Sequence, residues 1–257
     1  QVSVAARPWK FESSPGHHSR YFSPAFDSGA HRTKAQDNEV LMAGKKSPPK
    51  ITGLRTLEIY QNDIPPDLDF GDMVAIDTET MGLNPHRDRL CLVQLSGGDG
   101  HCHIVHFPQK KYDAPNLIKL LENPNITKLF HFARFDIATL KKYLGASTSP
   151  IYCTKIASKL VRTYTDRHGL KNLCDELLGI DISKQQQSSD WGASELKSAQ
   201  MTYAAGDVLY LHQLRQKLEE MLIREGRKEL AEACFAFLPA RAELDLKGWP
   251  EEDIFSH

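Results

Sequence analysis

The sequence predicts an α/β protein: a mixed sheet flanked by helices, in a single domain over residues 51–257 that follows a disordered extension over residues 1–50. Three observations predict it. Residues 1–50 are rich in Ser, Pro, Gly and His and show neither the helical nor the strand period. From Ile51 onward, short apolar runs come first, separated by hairpin-type turns. After Asp113 such runs alternate with segments of 3.6-residue period, the order expected of helices laid on a mixed sheet.

In the extension, the Arg and Ser content with few acids resembles a mitochondrial presequence. Met42-Ala43-Gly44-Lys45-Lys46 reads better as a natural start, which makes the preceding stretch an upstream segment. The first regular element is a strand over Leu54 to Tyr60, followed by a turn at Asp63-Ile64-Pro65-Pro66-Asp67. Asp72-Met73-Val74-Ala75-Ile76 is the second strand and runs directly into Asp77-Thr78-Glu79. Arg89 to Leu95 is almost continuously apolar, as in a strand covered on both faces. Gly97-Gly98-Asp99-Gly100 turns it back into an antiparallel neighbour over Cys102 to Phe107.

The alternating half begins at Asp113, a candidate cap for a helix with Pro115 in its first turn and Leu117, Leu120 and Leu121 inward. Thr127 to Phe130 is a strand. Ala133 to Leu144 is a helix with Ala133, Ile137, Leu140 and Leu144 on one face, closed by Gly145. Ile151-Tyr152-Cys153 is a short strand, followed by a helix from Lys155 and another over Leu170 to Leu178, closed by Gly179. A long helix starts near Ser198, its candidate N-cap, and turns Met201, Ala204, Val208 and Leu211 inward. One more helix follows over Arg227 to Phe237.

Composition narrows the function. No stretch approaches the roughly 18 to 20 uninterrupted apolar residues of a membrane helix. The five cysteines are odd in number and widely spaced, and read as reduced core residues of an intracellular, cytoplasmic protein. Residues 1–50 hold eight Lys/Arg against four acids, so the remaining 24 basic and 29 acidic residues leave the body at −5. Proteins that hold long nucleic acid usually carry a basic stripe, and this body has no evident surplus for one.

The chemistry concentrates on Asp77 and Glu79. Strand side chains alternate, so the two carboxylates project from one face, and a divalent cation is what reverses their repulsion. Asp136, in the first turn of its helix, borders that helix's buried face. Tyr203 and Asp207, four apart, stack on one helix face, and Gly206 beside Asp207 suggests a close approach, since mid-helix glycine costs about 1 kcal/mol. Four carboxylates suffice for two Mg²⁺ or Mn²⁺ ions that activate a water and stabilise a leaving 3′ oxygen, with Tyr203 orienting the water. His101 and His103 would share a strand face, but no third ligand lies near them.

Asp77-x-Glu79, His131-Phe132-Ala133-Arg134-Phe135-Asp136 and Tyr203-x-x-x-Asp207 resemble the three motifs of the DEDD 3′→5′ exonucleases, in their tyrosine-bearing branch. The histidine-bearing branch would place histidine where Thr202 stands. Ser183-Lys184 and Ser189-Asp190-Trp191 resemble ribonuclease D. The runs Thr163 to Lys171 and Lys184 to Trp191 and the ending Asp253-Ile254-Phe255 are closer still to the compact nanoRNase C group of that family.

The resemblance covers about residue 52 to the C-terminus. It implies a ribonuclease-H-like fold and a metal-dependent 3′→5′ exoribonuclease that cleaves dinucleotides or very short RNA to 5′-mononucleotides. Asp77 would bridge both ions, Glu79 and Asp207 would complete one site, and Asp136 would serve the other. Leu83 matches a leucine that wedges between bases, while His131, Lys184 and Gln186 are candidates for the substrate phosphate. Arg162, Arg167 and Lys171 would form a phosphate-attracting edge. A homo-oligomer, in close relatives an octameric ring, is implied as well. Two alternatives are a ribonuclease-D-like trimmer of structured RNA 3′ ends and a non-catalytic RNA-binding protein on the same fold.

Overall fold

The computed structural model describes residues 51–182, 186 and 189–256. The extension over residues 1–50 therefore lies outside the described residues, as does Lys184. The expected mixed sheet is present, with six strands in the order β1-β4-β3-β2-β5-β6. These are β1 (Thr56–Gln61), β2 (Met73–Thr80), β3 (Leu90–Ser96), β4 (His101–His106), β5 (Thr127–Phe130) and β6 (Ile151–Cys153). β2, β3 and β4 form the antiparallel meander, whereas β1, β5 and β6 join it in parallel.

β3 is buried along its whole length, so its apolar run meets packed layers on both sides. The helices are α1 (Pro115–Glu122), α2 (Ala133–Leu144), α3 (Thr154–Val161), α4 (Leu170–Leu173), α5 (Ser198–Leu209), α6 (Leu211–Arg224) and α7 (Lys228–Lys247). α4 continues as a π-helical turn over Cys174–Leu178. α2 closes at Gly145, whose φ of 72° is the left-handed geometry that favours glycine.

Several local expectations are corrected by long-range contacts. Asp113 does not cap α1. Asp63, from the turn after β1, accepts from the Asn116 and Leu117 amides at 2.9 and 2.8 Å and satisfies that helix end. Lys197, not Ser198, is the N-cap of α5, and the Gln200 side chain accepts from its amide at 2.9 Å. The long helix is two helices, broken at Tyr210, whose hydroxyl donates to the Thr52 carbonyl at 2.7 Å. The last helix runs ten residues past Phe237, to Lys247, and takes Pro239 into its interior.

Two cations, one of them buried, hold elements together. Lys128 has no exposed surface, and its ammonium donates to the carbonyls of Asn123, Ile126 and Ser149 at 2.6, 2.8 and 2.5 Å. Arg134 makes a two-pronged pair with Asp245, both bonds 2.6 Å, and so pins the start of α2 to α7. All five cysteines are free thiols, four of them buried, as the spacing predicts. No helix among the described residues is long and apolar enough to cross a membrane.

Candidate active site

Three elements converge at one end of β2. Asp77 and Glu79 stand two apart on that strand, next to a register shift between Glu79 and Thr80. Asp207 comes from α5, which packs across β2, β3 and β4. One carboxylate oxygen from each of Asp77, Glu79 and Asp207 lies within 4.8 Å of the others. Among the described residues this is the sole such grouping of His, Cys, Asp and Glu, and His101 and His103 instead bond Thr56 and Tyr60 of β1.

Asp136 approaches from α2. It is 3% exposed and accepts from the Thr78 hydroxyl at 2.7 Å, so the residue between Asp77 and Glu79 holds it from the opposite strand face. Phe132, which starts α2, sits in the left-handed region at φ 72°, an unusual place for a bulky side chain. Its ring is 45% exposed, and the Lys155 ammonium lies 4.0 Å from the ring centroid.

Asp77, Glu79 and Asp207 share one cavity of about 670 Å³, which Leu83, His131, Phe132, Lys155, Lys171, Trp191 and Tyr203 also line, whereas Asp136 lies outside both the lining and the three-carboxylate grouping. Leu83 is 84% exposed there, so it is not an ordinary buried loop leucine. His131 lines the wall and pairs through Nδ1 with the Thr154 hydroxyl at 2.9 Å. Burial, with Lys155 and His168 nearby, pulls its pKa to about 3, so it meets a ligand as a neutral imidazole. Gln186 is half-buried and outside the lining, with its carbonyl taken by the Ser189 hydroxyl at 2.6 Å.

The basic edge is partly corrected. Arg162 is fully buried and bonds Glu176, Ser158 and the Arg167 carbonyl, so its charge is structural. Arg167 is exposed and bonds Asn172, outside the cavity lining. Lys171 alone of the three lines the cavity, tied to Asp181 at 2.6 Å. Gly206 is also corrected: a Cβ there would meet only Ile51 Cδ1 at 3.7 Å, ordinary contact distance. Lys155 and Phe132 join the site without having been singled out by its motifs. A lysine in the first turn of a helix that follows a strand edge was the available signal for the first.

Electrostatically the cluster is under-compensated. None of the ion pairs among the described residues involves these four acids. Burial raises Asp77 to about 7. Burial, then the charges of Asp77, Asp207 and Asp136, raises Glu79 to about 10. Asp136 and Asp207 are pushed well above the carboxylate range by burial and then by Asp77. Tyr203 is raised too, by burial and then by the charges of Asp207, Glu79 and Asp77. A hard divalent cation fits this donor set, because oxygen ligands and uncompensated negative charge are what it requires.

The profile of the 3′-5′ exonuclease family matches residues 60–223. Ribonuclease D of Gluconacetobacter diazotrophicus is 36% identical over 165 residues, which are 64% of this chain and 42% of that protein. The chain thus spans about two-fifths of the length of the curated relatives it matches. Among solved structures, Brucella melitensis NrnC bound to pGG is 59% identical with a TM-score of 0.76, covering 79% of this chain and 98% of that one. The same protein with bound Mg²⁺ is 57% identical with a TM-score of 0.75, covering 79% and 100%. RNase D of Escherichia coli, 24% identical with a TM-score of 0.60 over 67% of this chain and 45% of that one, shares the ribonuclease-H-like fold.

Proposed function

Because the chain belongs to the 3′-5′ exonuclease family, in its ribonuclease D branch, we propose that it is a metal-dependent exoribonuclease that cleaves RNA dinucleotides or very short RNA to 5′-mononucleotides. The observation that carries the reading is the convergence of Asp77, Glu79 and Asp207 in a cavity that also presents an exposed Leu83. The pGG held by the Brucella melitensis neighbour supports the substrate size.

Asp77 would be shared by two divalent cations, Mg²⁺ or Mn²⁺, with Glu79 and Asp207 completing one site and Asp136 serving the other. The Mg²⁺ bound by the neighbour supports the choice of metal. When bound, such ions supply an activated water for attack on the phosphodiester and charge stabilisation for the leaving 3′ oxygen. Tyr203 acts as a phenol. Its raised pKa keeps the proton on, so it orients the attacking water by hydrogen bonding and does not take a proton from it.

Leu83 would wedge between the two bases. Lys171 and Lys155 give the cavity positive charge for a phosphate, and neutral His131 offers it a hydrogen bond. Lys184 would contact the substrate phosphate as well, whereas Gln186 stands outside the cavity lining. The functional unit is residues 51–257, with residues 1–50 a separate extension, and it assembles into a homo-oligomer, as an octameric ring.

A second reading, trimming of structured RNA 3′ ends, is favoured by the match to ribonuclease D over 64% of the chain. A time course with Mg²⁺ on a 5′-labelled dinucleotide and a seven-residue RNA, with EDTA as control, decides between them. Rapid loss of the dinucleotide while the longer RNA persists is the expected result. Stepwise shortening of the longer RNA at a similar rate favours the trimmer. No cleavage of either overturns the enzymatic reading and leaves an RNA-binding protein.

A further inference from the structure

β3 contains one residue that its surroundings do not explain. Leu90, Cys91, Leu92, Val93 and Leu95 are apolar and have no exposed surface, as a strand sandwiched between layers requires. Gln94 sits among them, equally buried, with neither its Oε1 nor its Nε2 hydrogen-bonded. A buried amide without partners is costly, and an apolar side chain of similar shape would avoid the cost. Gln94 is paired in register with Asp77 of β2 on one side and Ile104 of β4 on the other. Directly opposed residues project from one sheet face, so the amide stands beside Asp77 in the layer that α5 covers.

We infer that Gln94 is a positioning residue for the metal-binding carboxylates: its amide, unpaired here and directly across from Asp77, turns its N–H to the Asp77 carboxylate when a divalent cation binds and holds the orientation that the cation needs. The inference rests on the metal-dependent reading above. Groups of this kind hold ligands in place, and their loss typically weakens metal affinity by about 10- to 100-fold. A purely structural role is the competing account, because His106 Nε2 and Trp191 Nε1 are also buried without partners, and His106 is in register with Leu92, itself opposite Glu79. A packing network among those three would leave metal affinity alone.

Gln94→Leu and Gln94→Met separate the two accounts. Both remove the amide, and Met keeps the side chain's length. Thermal melts are recorded in EDTA and across a Mg²⁺ titration, beside dinucleotide cleavage at each Mg²⁺ concentration. The expected result is a melting temperature in EDTA equal to or above that of the unmodified protein, with the Mg²⁺ midpoint raised about tenfold or more in both readouts. An unchanged midpoint in either folded variant overturns the inference, as does failure of both variants to fold. If the unmodified protein neither gains stability from Mg²⁺ nor cleaves, the metal-dependent reading itself has failed.

Discussion

Asp207→Asn should make the metal-free protein more stable while ending its response to metal. The carboxylate oxygens of Asp77, Glu79 and Asp207 lie within 4.8 Å of one another. Two unit charges at that separation repel by about 3.5 kcal/mol at an effective dielectric near 20 and by about 0.9 kcal/mol in bulk water. All three residues are half-buried and open to the cavity, and partial protonation already relieves some of the repulsion. Asparagine keeps the shape and the polar contacts but removes one charge, so the net gain is about 1–2 kcal/mol. For a domain of this size that raises the melting temperature by about 2–8 °C. Melts with EDTA and with saturating Mg²⁺ measure both effects. The unmodified protein rises on adding Mg²⁺, whereas Asp207→Asn starts higher, gains little, and does not cleave RNA. A variant that melts below its parent in EDTA and still responds to Mg²⁺ refutes the argument, because its carboxylates would then be neither mutually repelling nor metal-binding.

Gly206→Ala should raise stability by up to about 1 kcal/mol, since alanine is the better helix former and the space beside α5 is open to a methyl group; a lower melting temperature contradicts this. Arg162→Ala should cost about 3 kcal/mol by stripping Glu176, Ser158 and the Arg167 carbonyl of their shared partner, visible as an earlier urea midpoint, and should leave the KM for dinucleotide in the folded fraction unchanged. Leu83→Ala should change stability by less than about 0.5 kcal/mol at so exposed a position yet raise the KM for a dinucleotide several-fold; equal KM values remove the wedge role. The stabilisation by Mg²⁺ should grow with pH. Asp77 is raised in the fold to about 7, so its contribution to metal-free stability is complete below the unfolded carboxylate value of about 4 and is lost as pH rises through about 7. Mg²⁺ needs the ionised form, so its increment in melting temperature should be larger at pH 8 than at pH 5.5, and equal increments would contradict the proton competition.

What the sequence makes legible is what local periodicity encodes. β2 announces itself by alternation, and α2 and the first turns of α5 by a 3.6-residue stripe, so the positions of Asp77 and Glu79, of Asp136 and of Asp207 follow from their places on those elements. The misread features depend on partners distant in the chain. Asp113 is a good cap by composition, but Asp63 reaches α1 first in space. Leu211 continues the stripe of α5, so nothing local marks the break that Tyr210 makes when it reaches for Thr52. Arg162 is indistinguishable in sequence from a surface cation until Glu176 and Ser158 close around it. Glycine at position 206 implied a close neighbour, and the fold supplies only the far end of Ile51.

α5 is the last of the three site-bearing elements to be made, and it has to lie across β2, β3 and β4 for Asp207 to meet Asp77 and Glu79. The site is therefore completed late in synthesis. A ribosome that has delivered the whole sheet and α2 has made a chain with three of the four acids and no Tyr203, and the missing pair emerges only after the entire loop that carries Trp191. A nascent chain stalled short of that point lacks Tyr203 and Asp207, so the activity proposed above is withheld from the RNA around the translating ribosome until the sheet has been covered.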